Sequence, residues 1–559
     1  MSLFVKLFLS GVSSRTINRF REQCKDPQQV QRELLAELIA KNRYTRFGKD
    51  HGFKNITSFG HFQRDVPITT YEDIWPYVER SLKGEPAQLT AEQPVFFAMT
   101  SGTTGKPKYI PVTPENRSAK SQLMRVWLCQ INRDHPNAFA DRVLTIVSPE
   151  DEEYSPSGIP CGAESGHGYK NMPNSLKATY SCPYEVYAVR DYESKYYTML
   201  RTAAGQSISL LYTPNPSAVL LLAKRLGEHS ERIIRDVRDG TLSADFDVPG
   251  ELRNVILSST RPDPKRAKFL EQAASKHGGM LLPKHIWPRL SVICSWKGGS
   301  VSEYLPKFSE YFPANIGIRD IGFFASEMRG SVPLSDEGDS GVLAIPTNVF
   351  EFFPADINRK PDRLDLLTVD QLEEGRNYYI YVTTSGGLCR YDMNDIIRIT
   401  GFYEQTPLMR FVQKGKGVVS FTGEKLYESQ VVDAVAYTFA PFKRSYEFIA
   451  AVGSMKDSNP RYTFLVEFKD EIAKAEGEDI INNIDQKLAA LNIEYEAKRK
   501  SKRIDPPVLR VVRWGELDRF RKRSVEGGKS DAQFKILRLT QDASFLNEFA
   551  SECEITATA

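Results

Sequence analysis

The sequence predicts an α/β fold with two parts: a large N-terminal lobe of mixed and parallel sheets with flanking helices, and a smaller, mobile α+β C-terminal domain. Apolar, strand-like runs alternate with long helical patterns up to about residue 411, and the pattern changes near residue 412. Long helical crossovers between strands are typical of parallel sheets that are covered on both faces, as in doubly wound proteins. The 559 residues are 41% hydrophobic and 26% charged, which is a globular composition and excludes disorder of the whole chain.

In the N-terminal part, residues 1–10 form a short apolar run that predicts a first helix docked on the body. The clearest later helix covers residues 114–131, because Thr113 can cap it, Pro114 suits its first position and Glu115 lies in its positive first turn. A second helix is expected over 217–237. Strand-like runs are 95–99, 142–147, 208–212, 290–294, 318–324, 378–383 and 395–400.

Beyond Phe411, a glycine-rich turn at 414–417 precedes a compact α+β module. We expect a helix from about residue 428, strands at 447–452 and 462–468, a long helix, and a final strand at 508–514. Because Gly415 and Gly417 accept backbone angles that other residues resist, we predict domains at 1–411 and 418–559 joined by a hinge at 412–417. An ordinary loop is the alternative interpretation of this turn.

Charge and cysteine content indicate which binding partners and which cellular compartment we expect for the protein. The net charge of +3 provides no global field for nucleic acid, and we interpret the basic runs 498–503 and 519–523 as a solvated face. Seven scattered cysteines without close spacing favour a reducing compartment, so we expect a cytoplasmic protein. The N-terminal apolar run is far shorter than the ~20 residues of a membrane span. The oligomeric state is left open.

The most informative segment is residues 95–113, VFFAMTSGTTGKPKYIPVT, in which two apolar runs flank a loop of glycines, hydroxyl residues and lysines. Close backbone approach at glycine, hydroxyl donors and positive charge are what a polyphosphate requires. The candidate ligands of this loop are Thr100, Ser101, Thr103, Thr104 and Lys106. The common nucleotide P-loop is excluded, because only two residues separate the glycines and Pro107 follows the lysine. A flexible surface turn is the alternative.

Three further stretches follow in a fixed order: GFFASE at 322–327, GLCRYDMND at 387–395 and QFK at 533–535. Together with the loop they resemble the auxin-inducible Gretchen Hagen family of acyl acid amido synthetases. That family lies within the acyl-adenylate-forming superfamily of acyl-CoA synthetases, nonribosomal adenylation domains and luciferases. Taken singly, Phe323, Glu327, Asp395 and Lys535 would be core, solvated or turn residues, so the inference depends on their shared order.

The resemblance implies a role for each matched position. Phe323 would pack on adenine, with Ala325 beside the nucleotide, Ser326 would donate to the α-phosphate, and Glu327 would hold Mg²⁺. Asp395 would accept hydrogen bonds from the ribose, while Gly299 and Ser300 would let the nucleotide lie close to backbone. Lys425 would be a second phosphate contact, and Lys535 the mobile catalytic lysine.

Two positions depart from the family pattern. Phe324 stands where the family has a small residue, and Asn394 stands where a glycine commonly precedes the ribose aspartate. The phosphate loop also lacks a residue that plant relatives usually have.

The resemblance implies a large adenylate-forming lobe and an enzyme that uses ATP and Mg²⁺ to activate a small carboxylic acid as acyl-AMP. The acyl group would then pass to an amine, which the resemblance implies is that of an amino acid. An acyl-CoA ligase and a non-catalytic nucleotide-binding protein of the same fold are the alternatives. Residues 148–183, which contain Glu164 and His167, are expected to form a functional loop that is long enough to border the acyl pocket. A zinc site of Cys161, His167 and Cys182 is disfavoured, because zinc spacing is absent.

Overall fold

The computed structural model describes residues 3–100, 108–147, 150, 153–258, 260–357, 359–415, 418–419, 424, 426–442, 445–456, 459–500, 502, 504–527 and 534–558. The described residues form two compact units, of which the first ends at Phe411 and the second begins at Val412. The fold is mixed α/β, with parallel and mixed sheets in the larger first unit, as the sequence predicts.

The first unit contains sixteen α-helices in the part of it that is described, together with 3₁₀ helices at Phe53–Asn55, Gly299–Lys307 and Val369–Gln371. The α-helices are α1 Leu3–Gln23, α2 Pro27–Asn42, α3 Arg46–Asp50, α4 Phe59–Asp65, α5 Tyr71–Leu82, α6 Pro114–Asp134, α7 Glu164–Lys170, α8 Asn174–Lys177, α9 Tyr184–Tyr187, α10 Tyr192–Ala204, α11 Pro216–Glu228, α12 Ser230–Asp239, α13 Gly250–Ser258, α14 Pro264–Ser275, α15 Pro283–Ile286 and α16 Phe308–Tyr311.

The strands up to the unit boundary are β1 Phe96–Thr100, β2 Lys108–Val112, β3 Arg142–Thr145, β4 Glu153–Tyr154, β5 Pro160–Gly162, β6 Ile208–Tyr212, β7 Val292–Cys294, β8 Gly317–Arg319, β9 Ser331–Val332, β10 Gly341–Leu343, β11 Asn348–Pro354, β12 Asn377–Thr384, β13 Tyr391–Tyr403 and β14 Thr406–Lys414. The last of these continues three residues past Phe411, into the segment predicted as a hinge.

Three sheets organise the first unit. A parallel sheet has the order β3-β6-β7-β8, and a small mixed sheet has the order β2-β1-β5-β4. A six-stranded sheet has the order β11-β12-β13-β14-β10-β9, in which β11 and β12, β12 and β13, β14 and β10, and β10 and β9 pair antiparallel. Because β3, β6, β7 and β8 run parallel, their carboxyl ends lie along one edge, which is the edge at which ligands of such sheets bind.

The N-terminal helix docks on the body, which confirms the expectation for the first residues. The hydroxyl of Ser13 on α1 donates to the carbonyl oxygen of Cys129 on α6 at 3.3 Å, and Ile17, Phe20 and Cys24 belong to the main hydrophobic core. Helix α6 begins at Pro114 as predicted, because the side chain of Thr113 accepts a hydrogen bond from the amide of Asn116.

The second unit contains α17 Glu428–Phe439, α18 Lys474–Leu491, α19 Ile493–Lys500 and α20 Glu516–Glu526, with a 3₁₀ helix at Ala543–Glu548. Its strands are β15 Val418–Val419, β16 Leu426–Tyr427, β17 Tyr446–Lys456, β18 Asn459–Phe468, β19 Val508–Val512, β20 Leu539–Thr540 and β21 Ser551–Thr556. The sheet order is β20-β17-β18-β19-β21. Glu467 is buried in this sheet, and burial raises its pKa to about 7 although the amides of Gly515 and Leu517 donate to it.

Several predicted elements were wrong in detail. The run 318–324 is not one strand: β8 ends at Arg319, and the chain turns at Gly322, whose φ is +84°. The helix expected over 217–237 is divided into α11 and α12 at His229. The strand at 508–514 is not the final one, because β20 and β21 follow it. Residues 153–183 contain β4, β5, α7 and α8 rather than a long loop.

No helix among the described residues is long and apolar enough to cross a membrane. All seven cysteines are free, and only Cys553 is exposed.

Candidate active site

The predicted phosphate loop connects two paired strands. Thr100 is the last residue of β1 and lies opposite Lys108, the first residue of β2. The ammonium group of Lys108 lies 5.1 Å from the ring centre of Tyr71, whose hydroxyl accepts a hydrogen bond from the amide of Tyr109 at 2.7 Å. A lysine therefore stands at the mouth of the hairpin, held against an aromatic face. The other four loop candidates, Ser101, Thr103, Thr104 and Lys106, lie outside the described residues.

The 322–327 motif forms a tight hairpin. The amide of Ala325 donates to the carbonyl of Met328 at 2.9 Å, and the amide of Met328 donates back at 3.2 Å. Ser326 and Glu327 consequently occupy the tip, where Ser326 is 9% exposed and Glu327 is half-buried. This geometry presents the serine and the glutamate together from a rigid turn.

The ring of Phe323 is held in place by its neighbours Phe411 and Gly330. Its ring lies nearly parallel to that of Phe411, with ring centres 6.0 Å apart and an angle of 10° between the planes. A Cβ atom on Gly330 would lie 2.5 Å from the ring of Phe323, so a glycine is required there. The half-buried aromatic ring is suited to a planar ligand such as a base.

Asp320 joins the glycine segment to this hairpin. Its carboxylate accepts a hydrogen bond from the amide of Lys297 at 2.7 Å and another from the amide of Gly322 at 2.6 Å. Burial raises the pKa of Asp320 to about 6, against the effect of these two donors. The indole nitrogen of Trp296 also donates to the carbonyl of Gly322, at 3.0 Å. The segments that follow β7 and β8 are therefore held together at the carboxyl edge of the parallel sheet.

Gly299 and Ser300 begin the 3₁₀ helix in this glycine segment. Gly299 has a φ of +69°, a left-handed conformation that favours glycine. Asp320 binds the amide of Lys297, two residues before Gly299, and the side chain of Ser300 lies outside the described part of the structure.

Asp395 lies on β13 and is 1% exposed. The preceding residue, Asn394, has a φ of +50°, and its amide donates to the carboxylate of Asp392 at 2.7 Å. Asparagine is among the few residues other than glycine that tolerate this conformation. The departure from the family pattern at this position therefore preserves the backbone that a glycine would give.

Glu327 lies near the ribose motif. Burial raises the pKa of the Tyr391 hydroxyl, and the nearby Glu327 carboxylate and Tyr71 hydroxyl raise it further. Tyr391 begins β13, four residues before Asp395. The structure therefore brings the serine–glutamate hairpin together with the ribose strand and with Tyr71, which contacts Lys108.

Lys120 on α6 is a site residue that sequence reasoning missed. Its ammonium group donates to both carboxylate oxygens of Glu164, at 2.8 and 3.0 Å, and to the carbonyl oxygen of Ser326 at 2.8 Å. All three N–H groups are thus used, and one of them fixes the hairpin tip. Glu164 was expected near the acyl pocket because of its loop, whereas a lone lysine in a long helix gave no signal.

His167 is the second residue that the sequence associated with the acyl pocket. Its Nδ1 lies 2.8 Å from a carboxylate oxygen of Glu150, and its ring stacks on Phe96 with ring centres 4.2 Å apart. The residue is 5% exposed. It therefore packs behind β1, and its contact with Glu150 ties α7 to the segment that follows β3.

Phe324, the other departure from the family pattern, covers a buried cation. The guanidinium carbon of Arg329 lies 5.8 Å from the ring centre of Phe324 and 5.5 Å from that of Trp127. Arg329 is 1% exposed and also donates to the carbonyl of Ile321 at 2.9 Å. The aromatic residue thus has a local partner that explains its size.

Arg390 connects the 387–395 motif to buried groups elsewhere in the first unit. It is fully buried, forms a two-point ion pair with Glu351 at 2.9 Å for each bond, and donates to the carbonyl oxygens of Gln63, Val66 and Arg363. Its five N–H groups are therefore satisfied while it holds the backbone next to Tyr391.

Two predicted residues belong to the second unit. Lys425 lies outside the described residues. Lys535 is exposed, between the buried side chains of Phe534 and Ile536.

The described residues contain no cluster of three or more histidine, cysteine or acidic side chains that could hold a metal ion. The ligand predicted for Mg²⁺ is the single carboxylate of Glu327. This fits Mg²⁺, which is commonly held by one or two carboxylates together with substrate phosphates and water.

Comparisons with known proteins identify the family of the chain. Residues 16–316 match the GH3 family N-terminal domain, residues 341–414 the central domain, and residues 429–544 the C-terminal domain. Indole-3-acetic acid-amido synthetase GH3.5 of Arabidopsis thaliana is 24% identical over 575 residues, covering 97% of this chain and 93% of the relative. Probable indole-3-acetic acid-amido synthetase GH3.2 of Oryza sativa subsp. japonica is 25% identical, covering 91% and 88%.

Among solved structures, the GH3.15 acyl acid amido synthetase superimposes with a TM-score of 0.85 at 21% identity, covering 97% of each chain. The fold is therefore that of an acyl acid amido synthetase. The chain belongs to the GH3 family, the Gretchen Hagen family that its motifs resemble.

Proposed function

We propose that this chain is an ATP-dependent acyl acid amido synthetase, which activates a carboxylic acid as acyl-AMP and transfers the acyl group to the amine of an amino acid. Family membership and the amido synthetase relatives support this function. The observation that carries this proposal is that three predicted segments lie together. Asp320 binds both the glycine segment at 297–299 and the 322–327 hairpin. Glu327 of that hairpin lies near Tyr391 of the ribose strand.

In the first step, a carboxylate oxygen of the acid attacks the α-phosphorus of ATP, the bond to the bridging oxygen of the β-phosphate breaks, and pyrophosphate leaves. Two anions approach each other, so cations and oriented donors must offset their repulsion. Lys108 at the hairpin mouth and the predicted loop residues supply such groups, and Lys535 is proposed to contact the acyl carboxylate and the α-phosphate. Lys425 is proposed as a further phosphate contact.

In the second step, the amine nitrogen attacks the acyl carbonyl carbon, the bond from that carbon to the phosphate oxygen breaks, and AMP leaves as the amine loses a proton. The products of this step are the amide, AMP and the proton that the amine loses. We infer that rotation about residues 412–417, between domains 1–411 and 418–559, withdraws Lys535 before this step. Mg²⁺ held by Glu327 would neutralise phosphate charge.

A cytoplasmic location is part of the proposal. Seven free cysteines, six of them buried, are consistent with a reducing compartment.

The function is tested by acid-dependent exchange of pyrophosphate into ATP, followed by mass spectrometry of the products with amino acids and, separately, with CoA. We expect exchange with at least one carboxylic acid, and an amide product. Exclusive thioester formation would identify a CoA ligase instead, and ATP binding without exchange across a broad acid panel would identify a non-catalytic protein.

The site assignment is tested with Glu327→Ala and Lys535→Ala. Each removes a contact of a type whose loss costs on the order of 3 kcal/mol, or about a hundredfold in rate. Lys474→Ala is the matched control for Lys535, because Lys474 is 83% exposed in the same unit. Exchange at the parental rate in both site variants would refute the assignment.

A further inference from the structure

A cavity of about 850 Å³ lies at the amino end of the parallel sheet. Its wall includes Asp141 and Arg142 at the start of β3 and Ser207 just before β6. The candidate active site follows the carboxyl ends of β7 and β8. Strands of three to five residues at about 3.3 Å per residue separate the two edges, so this cavity is a different site.

The cavity wall is rich in arginine. Arg142 and the exposed Arg261 have no ion-pair partner among the described residues. Arg201 is 4% exposed and directs Nε to the carbonyl of Thr241 at 2.7 Å and Nη2 to that of Asp236 at 2.9 Å. Its Nη1 hydrogens have no acceptor within the described part of the chain, so a buried guanidinium group retains donors for a ligand.

The acidic residues of the wall offset this charge only in part. The carboxylate of Asp141 is paired with Arg289 at 3.0 Å and accepts a hydrogen bond from Ser207. Asp263 caps α14 by accepting from the amide of Arg266 at 2.8 Å. Glu185 is the third carboxylate among the described residues that line the cavity. Four cationic side chains, counting Lys177, therefore face a wall in which two of three carboxylates are already engaged.

Tyrosine side chains also line the cavity. Tyr169, Tyr180 and Tyr184 line the cavity, and the rings of Tyr169 and Tyr180 meet edge to face with centres 5.1 Å apart. Burial raises the pKa of Tyr180 to about 12, so its hydroxyl is neutral and can donate to an anion at physiological pH. Flat aromatic faces beside guanidinium groups suit a ligand that has both a ring and an anionic group.

We propose that this cavity binds a small organic anion with a planar ring and a phosphate or carboxylate group, at a site separate from the active site. Arg142, Arg201 and Arg261 hold the anionic group, and the tyrosines contact the ring. Binding at this site does not depend on turnover, and the failure of the proposed activity would leave it unaffected.

Phenyl phosphate is the probe, and its binding to the full chain is measured by calorimetry, with the arginine variants assigning the binding to this cavity. We expect one site, with affinity reduced at least tenfold by Arg142→Met and by Arg261→Met. Arg235→Met on the adjacent α12 is the matched control, because Arg235 is exposed and does not line the cavity. Thermal unfolding of each variant verifies that it is folded.

Absence of phenyl phosphate binding would overturn the proposal, as would equal affinity in folded Arg142→Met, Arg261→Met and parental protein. Benzoate in place of phenyl phosphate distinguishes a carboxylate ligand from a phosphate ligand, and tighter binding of either supports the site. Inorganic phosphate that bound as tightly as phenyl phosphate would refute the assignment of a ring-bearing ligand.

Discussion

Replacement of Lys120 by methionine tests whether the hairpin tip is held by a charge-assisted hydrogen bond. The ammonium group of Lys120 connects Glu164 on α7 to the carbonyl of Ser326, and the side chains of Lys120 and Glu164 are only 11% and 17% exposed. Methionine keeps the length and apolar contacts of the lysine stem but cannot donate. The peptide between Ser326 and Glu327 would then lose its anchor.

The magnitude follows from the kind of bond that is lost. Hydrogen bonds to charged groups contribute about 1.5–3 kcal/mol. A loss of roughly 2 kcal/mol in the transition state corresponds to about a thirtyfold lower kcat/KM for ATP. We expect this loss in acid-dependent pyrophosphate exchange measured over a range of ATP concentrations.

The controls separate positioning from stability. Lys120→Arg retains a cationic donor and should recover part of the activity, whereas Arg117→Met removes an exposed cation from the same helix and should change little. If folded Lys120→Met protein exchanged pyrophosphate with a kcat/KM within twofold of the parent, Lys120 would not position the hairpin.

Three further outcomes are expected. Arg390→Met should destabilise the first unit by about 3–5 kcal/mol in urea unfolding, because Glu351 is left buried without its cation; the double variant with Glu351→Met should recover stability, and no recovery would refute this explanation. Asn394→Gly should retain ATP affinity in calorimetry while Asn394→Val lowers it, because only the β-branched residue opposes a φ of +50°; equal affinities would contradict the argument. For Glu467, whose pKa rises from 4.5 to about 7 on folding, the native state binds more protons than the unfolded state, so stability falls as pH rises through this window. The unfolding free energy of Glu467→Gln relative to the parent should rise by about 3 kcal/mol between pH 4.5 and pH 7.5, and a difference independent of pH would refute the prediction.

Much of the fold follows from local signals in the sequence. Helix α6 starts where Thr113 and Pro114 place it, and β6 has the predicted bounds, because capping and apolar patterning act over a few residues. The run 318–324 was misassigned because the turn depends on a side chain, Asp320, that binds the amide of Gly322. Local apolar character does not reveal that interaction.

The site could be predicted less completely than the fold. Ordered motifs predict Phe323, Ser326, Glu327 and Asp395 as site residues, but the motifs give no distances between them. Asp320 had a usable signal, because it directly follows a strand of a parallel sheet. The contacts of Lys120 had no signal in the sequence, since its two partners lie 44 and 206 residues away in the chain.

The terminal strand of the second unit has a practical consequence. Residues 551–556 complete the sheet by pairing with β19 from Val508 to Val512. Shortening the chain before residue 551 would uncover a row of backbone donors and acceptors on β19, and uncovered strand edges recruit other chains. Expression of this enzyme for crystallography should therefore retain these residues and place any affinity tag at the opposite terminus.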